Sequence, residues 1–223
     1  MSKSIIDLEE KLKILNSSSN LLAIKAEFEA EGTRIEELSI ISFLCSKYSV
    51  PLTLKIGGPC AKRDIYEAFQ VGANNILVPM VESDFSLEYF LNCYKSFKSN
   101  FASFNNCPSI SINIESLKGF ENIDSIIKKI NKISPKFKCI VIGRSDLASS
   151  MRINDVNSKS ILDITKTIIE KCHANNIKVT IGGNLSHESY EFLNNFNQHK
   201  LEAFESRKCT FLNSNNLNKK SFQ

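Results

Sequence analysis

Two carboxylates stand out by where they fall. Glu115 and Asp146 sit just past the ends of two consecutive apolar runs, Ser109–Ile114 and Lys138–Ile142, about one strand-and-helix repeat apart. Brought into one cleft they would repel each other unless something positive lay between them. Two carboxylates that leave several positions open are how Mg²⁺ or Mn²⁺ is usually held, with water and substrate oxygens completing the shell. The same residues could instead open the helices that follow, with Asp146 ahead of Leu147-Ala148-Ser149 and Ser116 ahead of Leu117.

Lys55 comes next, on an apolar run just before Gly57-Gly58. A cation there could hold an enolate or carboxylate oxygen, while the glycines let backbone N–H groups approach an anion. A Schiff-base lysine is a rival use of the residue, and a lysine that merely snorkels at the rim is a third. Arginine is scarce: 23 of the 28 basic residues are lysine. Two of the five arginines, Arg144 and Arg207, nevertheless follow apolar runs. Either could clamp a substrate carboxylate bidentately, or tie down Glu82 or Glu205.

Other chemistries find little support. His173 falls within a helical stretch, and His187 and His199 on outer helices or loops, so a histidine base at the end of an apolar run is not expected. The seven cysteines form no C-x-x-C, which excludes the usual zinc and iron–sulfur spacings. They read as reduced, mostly buried small hydrophobes. The net charge is only +4 and the lysines are scattered, so no nucleic-acid-binding face is expected. No apolar window is long enough to cross a membrane. The N-terminus enters the amphipathic Ile5–Leu15 without an apolar leader, which predicts a cytoplasmic protein.

The elements that must position these residues alternate. Short, β-branched apolar runs at Leu21–Ile24 (continuing to Phe28), Leu52–Ile56, Asn75–Val78, Ser109–Ile114, Lys138–Ile142, Ile177–Ile181 and Leu201–Phe204 read as strands. Between them, Glu36–Cys45, Arg63–Val71, Phe85–Phe97, Ile123–Ile133, Ile161–Cys172 and Glu188–Phe196 repeat apolar residues with helical period. Such alternation with short loops predicts parallel βαβ units in a single domain over 1–223. Strands apolar throughout suit a sheet covered on both faces.

A doubly wound sheet would usually carry a Gly-rich first turn, whereas Glu27-Phe28-Glu29-Ala30-Glu31-Gly32 would repel phosphate. The expected fold is therefore a (β/α)8 TIM barrel near the lower size limit of roughly 200 residues. Residues 1–20 are expected as a peripheral N-terminal helix and 208–223 as a peripheral tail, with the eighth barrel unit unlocated. In such a barrel the site lies at the C-terminal strand ends. All seven readable strands carry polar, ionisable or Gly-rich residues there.

Three of those strand-end stretches are familiar together. Gly72-Ala73-Asn74-Asn75-Ile76-Leu77-Val78-Pro79-Met80-Val81-Glu82-Ser83, Ile112-Asn113-Ile114-Glu115-Ser116 and Ile142-Gly143-Arg144-Ser145-Asp146-Leu147-Ala148 resemble, in order and spacing, the HpcH/HpaI aldolase and citrate lyase family. That family has barrels of the phosphoenolpyruvate/pyruvate type. The resemblance implies a carbon–carbon lyase acting through a pyruvate-like enolate on a small 2-keto acid or its aldol adduct. It implies Glu115 and Asp146 as Mg²⁺ or Mn²⁺ ligands, backbone N–H groups around Gly143 to Ser145 as receivers of the substrate carboxylate, and Asn113 in place of a substrate-contacting Gln. It also implies self-association as a trimer or hexamer.

Two positions depart from the family pattern. An Asp-x-Glu-His cluster, whose His activates the water used as base, becomes Lys25-Ala26-Glu27-Phe28, and the Arg that stabilises the enolate becomes Lys55. The expected assignment is then Lys55 on the enolate, Glu27 or Glu29 as base, and Arg144 or Arg207 selecting an anionic acceptor. The loss of the histidine leaves a second reading, a barrel that binds a metabolite or a partner protein without turning it over.

Overall fold

The computed structural model describes residues 3–18, 20–100, 107–133, 137–186, 188–196 and 201–213. His187 and His199 lie outside them, as do residues 214–223.

Eight strands close into a barrel in chain order: β1 (Leu21–Glu27), β2 (Leu52–Lys55), β3 (Asn75–Val78), β4 (Ser109–Ile114), β5 (Phe137–Gly143), β6 (Val179–Gly182), β7 (Ala203–Glu205) and β8 (Cys209–Leu212). Strands β1 to β7 pair in parallel with their sequential neighbours. The eighth runs antiparallel to both β7 and β1. Its direction follows from the linker, because Ser206–Lys208 is far too short for the crossover that a parallel strand needs. Part of the segment expected as a peripheral tail thus completes the barrel. The missing unit is a hairpin strand rather than a βα repeat.

Strand β4 shows how the barrel sorts its side chains. Ser111, Asn113 and Glu115 alternate with Ile110, Ile112 and Ile114, all buried, so one parity faces the lumen and the other the helices. The isoleucines join Ile76, Val78, Ile140 and Ile142 from neighbouring strands and Leu38, Ile65, Phe90, Ile126 and Ile168 from the helices in one continuous core. The helices are α1 (Lys3–Ser18), α2 (Ile35–Lys47), α3 (Lys62–Gln70), α4 (Asp84–Asn100), α5 (Leu117–Glu121), α6 (Ile123–Ile130), α7 (Arg144–Ser150), α8 (Lys159–Ala174) and α9 (Ser189–Leu193).

The first of these is anchored rather than loose. Leu12 is buried with Leu44 and Val50, and Glu9 bonds to Lys47 at 2.8 Å and to the Tyr48 hydroxyl. Two short helices, α5 and α7, follow directly on β4 and β5. They had no periodic signal, being too short to show one.

Candidate active site

A cavity of about 520 Å³ opens among the C-terminal strand ends. Its lining includes Glu27, Lys55, Asn113, Glu115, Gly143, Ser145, Asp146 and Arg207, which is eight of the ten residues singled out in the sequence. Lys25 and Glu205 line it as well.

Glu115 is the most elaborately seated of them. Its carboxylate is buried and accepts a bond from the Met80 backbone N–H at 2.9 Å and another from Asn113 Nδ2 at 2.7 Å. Met80 reaches that position with a left-handed backbone, φ 51°, a conformation a non-glycine residue holds only when its surroundings impose it. A side chain on Gly143 would stand 2.7 Å from both Cβ and Oε2 of Glu115. The glycine ending β5 is therefore the space into which the β4 carboxylate fits. Burial raises the Glu115 pKa above the ordinary glutamate value, with Asp146 adding to the rise, against the opposing pull of Lys55 and the two hydrogen bonds. Asn113 is thereby fixed in orientation, and its Oδ1 remains buried without a hydrogen-bond partner.

Asp146 lies in the first turn of α7 and is exposed. The position that would cap this helix is Gly143, and no side chain makes the cap bond. Capping belongs instead to Ser116, whose Oγ accepts from Gly119 N at 3.1 Å on α5 and donates to Glu82 at 2.6 Å. Helix capping thus accounts for Ser116 and not for Asp146.

The cations are partnered. Lys55 Nζ lies 3.3 Å from Glu27 Oε1, and the deeply buried Lys25 lies 2.9 Å from Glu205 Oε1. Burial works against the Lys55 charge, but Glu115, Glu27 and Asp146 together leave its pKa raised. Arg207 stands at the mouth, with Nε 3.3 Å from Glu31, a carboxylate that also pairs with Lys208. Glu115 and Asp146 form no ion pair among the described residues. The cavity lining therefore holds two ion pairs, Arg207 tied to Glu31 at the mouth, and two carboxylates outside any ion pair that feel Lys55 only at longer range.

Two expected residues fall outside this group. Glu29 is exposed and faces Gly57 rather than the cavity. Arg144 is fully buried on the far side of the strand ends. Its guanidinium donates to Gly182 O at 3.2 Å, Gly183 O at 2.8 Å, Asn157 Oδ1 at 2.8 Å and Ser189 Oγ at 3.3 Å, and stacks 4.5 Å over Phe192. Burial pushes it down to about 10, still charged near neutrality. The Arg144 side chain fastens the end of β6 to α9; it neither lines the cavity nor ties Glu82 or Glu205. Phe28 likewise packs against the hydrophobic core. Lys25 and Glu205 are not among the residues that the sequence marks for chemistry, although strand parity points to the first: 25 and 27 share a face.

The sequence matches the HpcH/HpaI aldolase/citrate lyase family over residues 55–196, more than half of the chain. The chain belongs to that family. No curated protein matches it. Among solved structures, it resembles the HpcH/HpaI aldolase from Desulfitobacterium hafniense DCB-2 (TM-score 0.69, 12% identity, 88% of this chain and 80% of that one). It also resembles the citrate synthase SbnG (0.68, 16%, 89% and 81%). A third likeness is to Haloferax volcanii malate synthase in its magnesium/glyoxylate complex (0.61, 11%, 79% and 57%). At such identities these likenesses speak for the barrel alone. Family and fold together support an aldolase or citrate-lyase type of enzyme. Among the described residues, no helix is long and apolar enough to cross a membrane.

Proposed function

We propose that this HpcH/HpaI-family barrel is a divalent-metal-dependent carbon–carbon lyase that works through a pyruvate-like enolate on a small 2-keto acid or its aldol adduct. The observation that carries the reading is the pair of carboxylates outside any ion pair, Glu115 and Asp146, in a cavity whose other charged side chains are paired.

The donor set fits Mg²⁺ or Mn²⁺. Among the described residues no three His, Cys, Asp or Glu side chains converge as a closed metal cage. Two carboxylates with the remaining positions open suit a hard cation that keeps waters and accepts substrate oxygens. Both Glu115 oxygens are held in place by a donor, and the Gly143 cleft leaves them room. Glu115 and Asp146 would hold the metal, which when bound polarises a keto oxygen and stabilises the enolate charge.

The chain's own residues supply the rest. Lys55 brings a second positive charge toward the developing enolate oxygen. Glu27, oriented by Lys55, takes the hydroxyl proton of an aldol adduct. A side chain on Gly183 would stand 2.5 Å and 2.6 Å from the backbone nitrogens of Ser145 and Arg144. Glycine there keeps those N–H groups approachable by a substrate carboxylate. Arg207, at the rim, meets the far end of an anionic substrate. The buried thiols Cys45, Cys139, Cys172 and Cys209 fit a reducing, cytoplasmic setting. Exposed Met80, Phe85 and Leu117, beyond the ends of β3 and β4, support assembly as a trimer or hexamer, which sedimentation would read.

The test is proton exchange. Pyruvate incubated in D₂O with the protein and Mn²⁺ or Mg²⁺ should lose its methyl protons by NMR. The loss should vanish in Glu115→Ala and Asp146→Ala and persist in His173→Ala. No exchange with several 2-keto acids, together with no metal-induced thermal shift, would sink the lyase reading in favour of a non-catalytic barrel.

A further inference from the structure

We infer that Glu205 is the carboxylate that takes the carbon-bound proton of the substrate, and that it passes this proton into a second, hydrated chamber in the lower half of the barrel. The inference rests on the lyase reading above and adds a residue and a route to it.

The chamber comes first. Below the candidate site the lumen holds a further cavity of about 290 Å³. Barrel interiors are ordinarily filled by bulky branched residues. Here five consecutive strands, β2 to β6, present Thr53, Asn75, Ser111, Cys139 and Thr180 to this space. These groups are buried and joined to one another. Asn75 Nδ2 donates to Thr53 Oγ1 at 3.5 Å, and Ser111 Oγ donates to Asn75 Oδ1 at 3.1 Å. Ser111 Oγ also lies 3.3 Å from Cys139 Sγ, which accepts from Thr180 Oγ1 at 3.8 Å. Leu22, Leu77, Val141 and Ala203 line it too, but it opens beside Lys138, Lys178 and Glu202, the two lysines exposed, so water can enter it and meet the polar belt.

Glu205 is the one described residue that lines both spaces. Its partner Lys25 lines the upper one only. The ion pair therefore marks the boundary, with the carboxylate exposed to both sides of it. Glu27, by contrast, has no face on the lower chamber.

The strand ends make room for Glu205 as they do for Glu115. Gly143 and Gly182 are register partners at the ends of β5 and β6. A side chain on Gly143 would meet Glu115 at 2.7 Å, and one on Gly182 would meet Glu205 Cγ at 3.0 Å and Oε1 at 3.2 Å. Two neighbouring strands thus end without a side chain, each where a carboxylate from the adjacent strand enters the lumen.

The step balances simply. The C–H bond beside the keto group breaks, and its electrons become the carbon–carbon double bond of the enolate. The proton forms an O–H bond on Glu205, which then gives it to a chamber water and returns to carboxylate. Lys25 orients the carboxylate and balances its resting charge.

The experiment is methyl-proton exchange of pyruvate in D₂O with Mn²⁺, on the full chain. The variants are Glu205→Gln, the double variant Lys25→Met with Glu205→Gln (which spares the barrel an uncompensated buried charge), and Thr53→Val with Thr180→Val. Both Glu205 variants should exchange at least about 100-fold more slowly, the usual scale for a lost general base. Their half-saturating pyruvate concentration should stay within about twofold of wild type. The threonine pair, similar in shape but without hydroxyls, should slow exchange about tenfold. Wild-type rates in folded Glu205 variants would overturn this inference alone, as would a raised half-saturating concentration at an unchanged maximal rate. Should the Glu205 variants fail to fold, an undiminished rate in the threonine pair overturns the route. A wild type that exchanges nothing overturns the lyase reading and this inference with it.

Discussion

Replacing Gly143 by alanine adds one methyl group and should disable the site. The new Cβ would lie 2.7 Å from Glu115 Cβ and 2.7 Å from its Oε2, whereas carbon contacts settle at about 3.5–4.0 Å. Roughly 1 Å of displacement is needed. The strands resist supplying it, because β4 and β5 are paired right up to the contact (Asn113↔Val141, Ile114↔Ile142) and Gly143 is itself in register with Gly182 on β6. Glu115 must therefore swing away, losing the bonds from Met80 and Asn113. Overpacking costs about 1–3 kcal/mol, and each bond to a charged group is worth about 1.5–3 kcal/mol. Rehydration of the displaced carboxylate in the open cavity recovers part of this, so about 2–4 kcal/mol of stability should be lost. For a chain of this size that lowers Tm by roughly 5–15 °C. A displacement of about 1 Å at a reacting centre costs on the order of 100-fold in rate, readable as pyruvate methyl exchange. The control is Gly32→Ala, where nothing lies within 4 Å of the added methyl and only the positive φ of 57° resists; it should cost about 1–2 kcal/mol and leave exchange intact. If Gly143→Ala melts within a degree of wild type and exchanges within twofold, the steric account of how Glu115 is positioned is wrong.

Three further outcomes follow from groups away from that contact. Arg144→Leu strands the Gly182 and Gly183 carbonyls and should cost about 3–5 kcal/mol by thermal unfolding; Arg144→Lys should not restore it, since an ammonium lacks the planar fork. Hydrogen bonds from Lys47 and then Tyr48 hold the Glu9 carboxyl down near 2. A lowered carboxylate stabilises above its ordinary value of 4.5 and ceases to as pH falls toward 2. Hydrogen exchange should show α1 loosening across that window, and a Glu9→Gln protein should lose the dependence. Burial raises Cys45 to about 11 and Cys172 to about 12, and raises Cys139 as well. A thiol reagent should label exposed Cys60 in the native protein and reach those three only on unfolding.

The sequence displayed its architecture through period and composition, signals that survive without knowledge of contacts. Seven strands emerged because each is an apolar run flanked by turns, and most cavity residues followed because strand ends in such a barrel share one rim. The eighth strand escaped because Cys209-Thr210-Phe211-Leu212 lacks the βα spacing of the rest; its partner is a three-residue hairpin away. Arg144 misled for a different reason. Its neighbours Gly143, Ser145 and Asp146 do face the cavity or border it, but a strand turning into a short helix rotates successive side chains by about 100°, which points Arg144 to the opposite side. Glu29 lies beyond the end of β1, where strand parity no longer governs direction.

Lys25 and Lys55 make physical sense only together. The resemblance places an acid at the first position and an arginine at the second, so this chain has reversed one charge and changed the shape of the other. An acid at position 25 would face Glu205, and two buried carboxylates in contact cannot both ionise at little cost. Lysine there and glutamate at 205 are therefore mutually required, and removing either leaves a buried charge without its partner. At position 55 an arginine fork would lock bidentately onto one carboxylate. An ammonium, a compact point charge with rotatable donors, can lie 3.3 Å from Glu27 while still feeling Glu115 and Asp146. The lysine keeps the pull of all three carboxylates without being committed to one, as a group must be if it is to turn toward a negative charge that appears only during reaction.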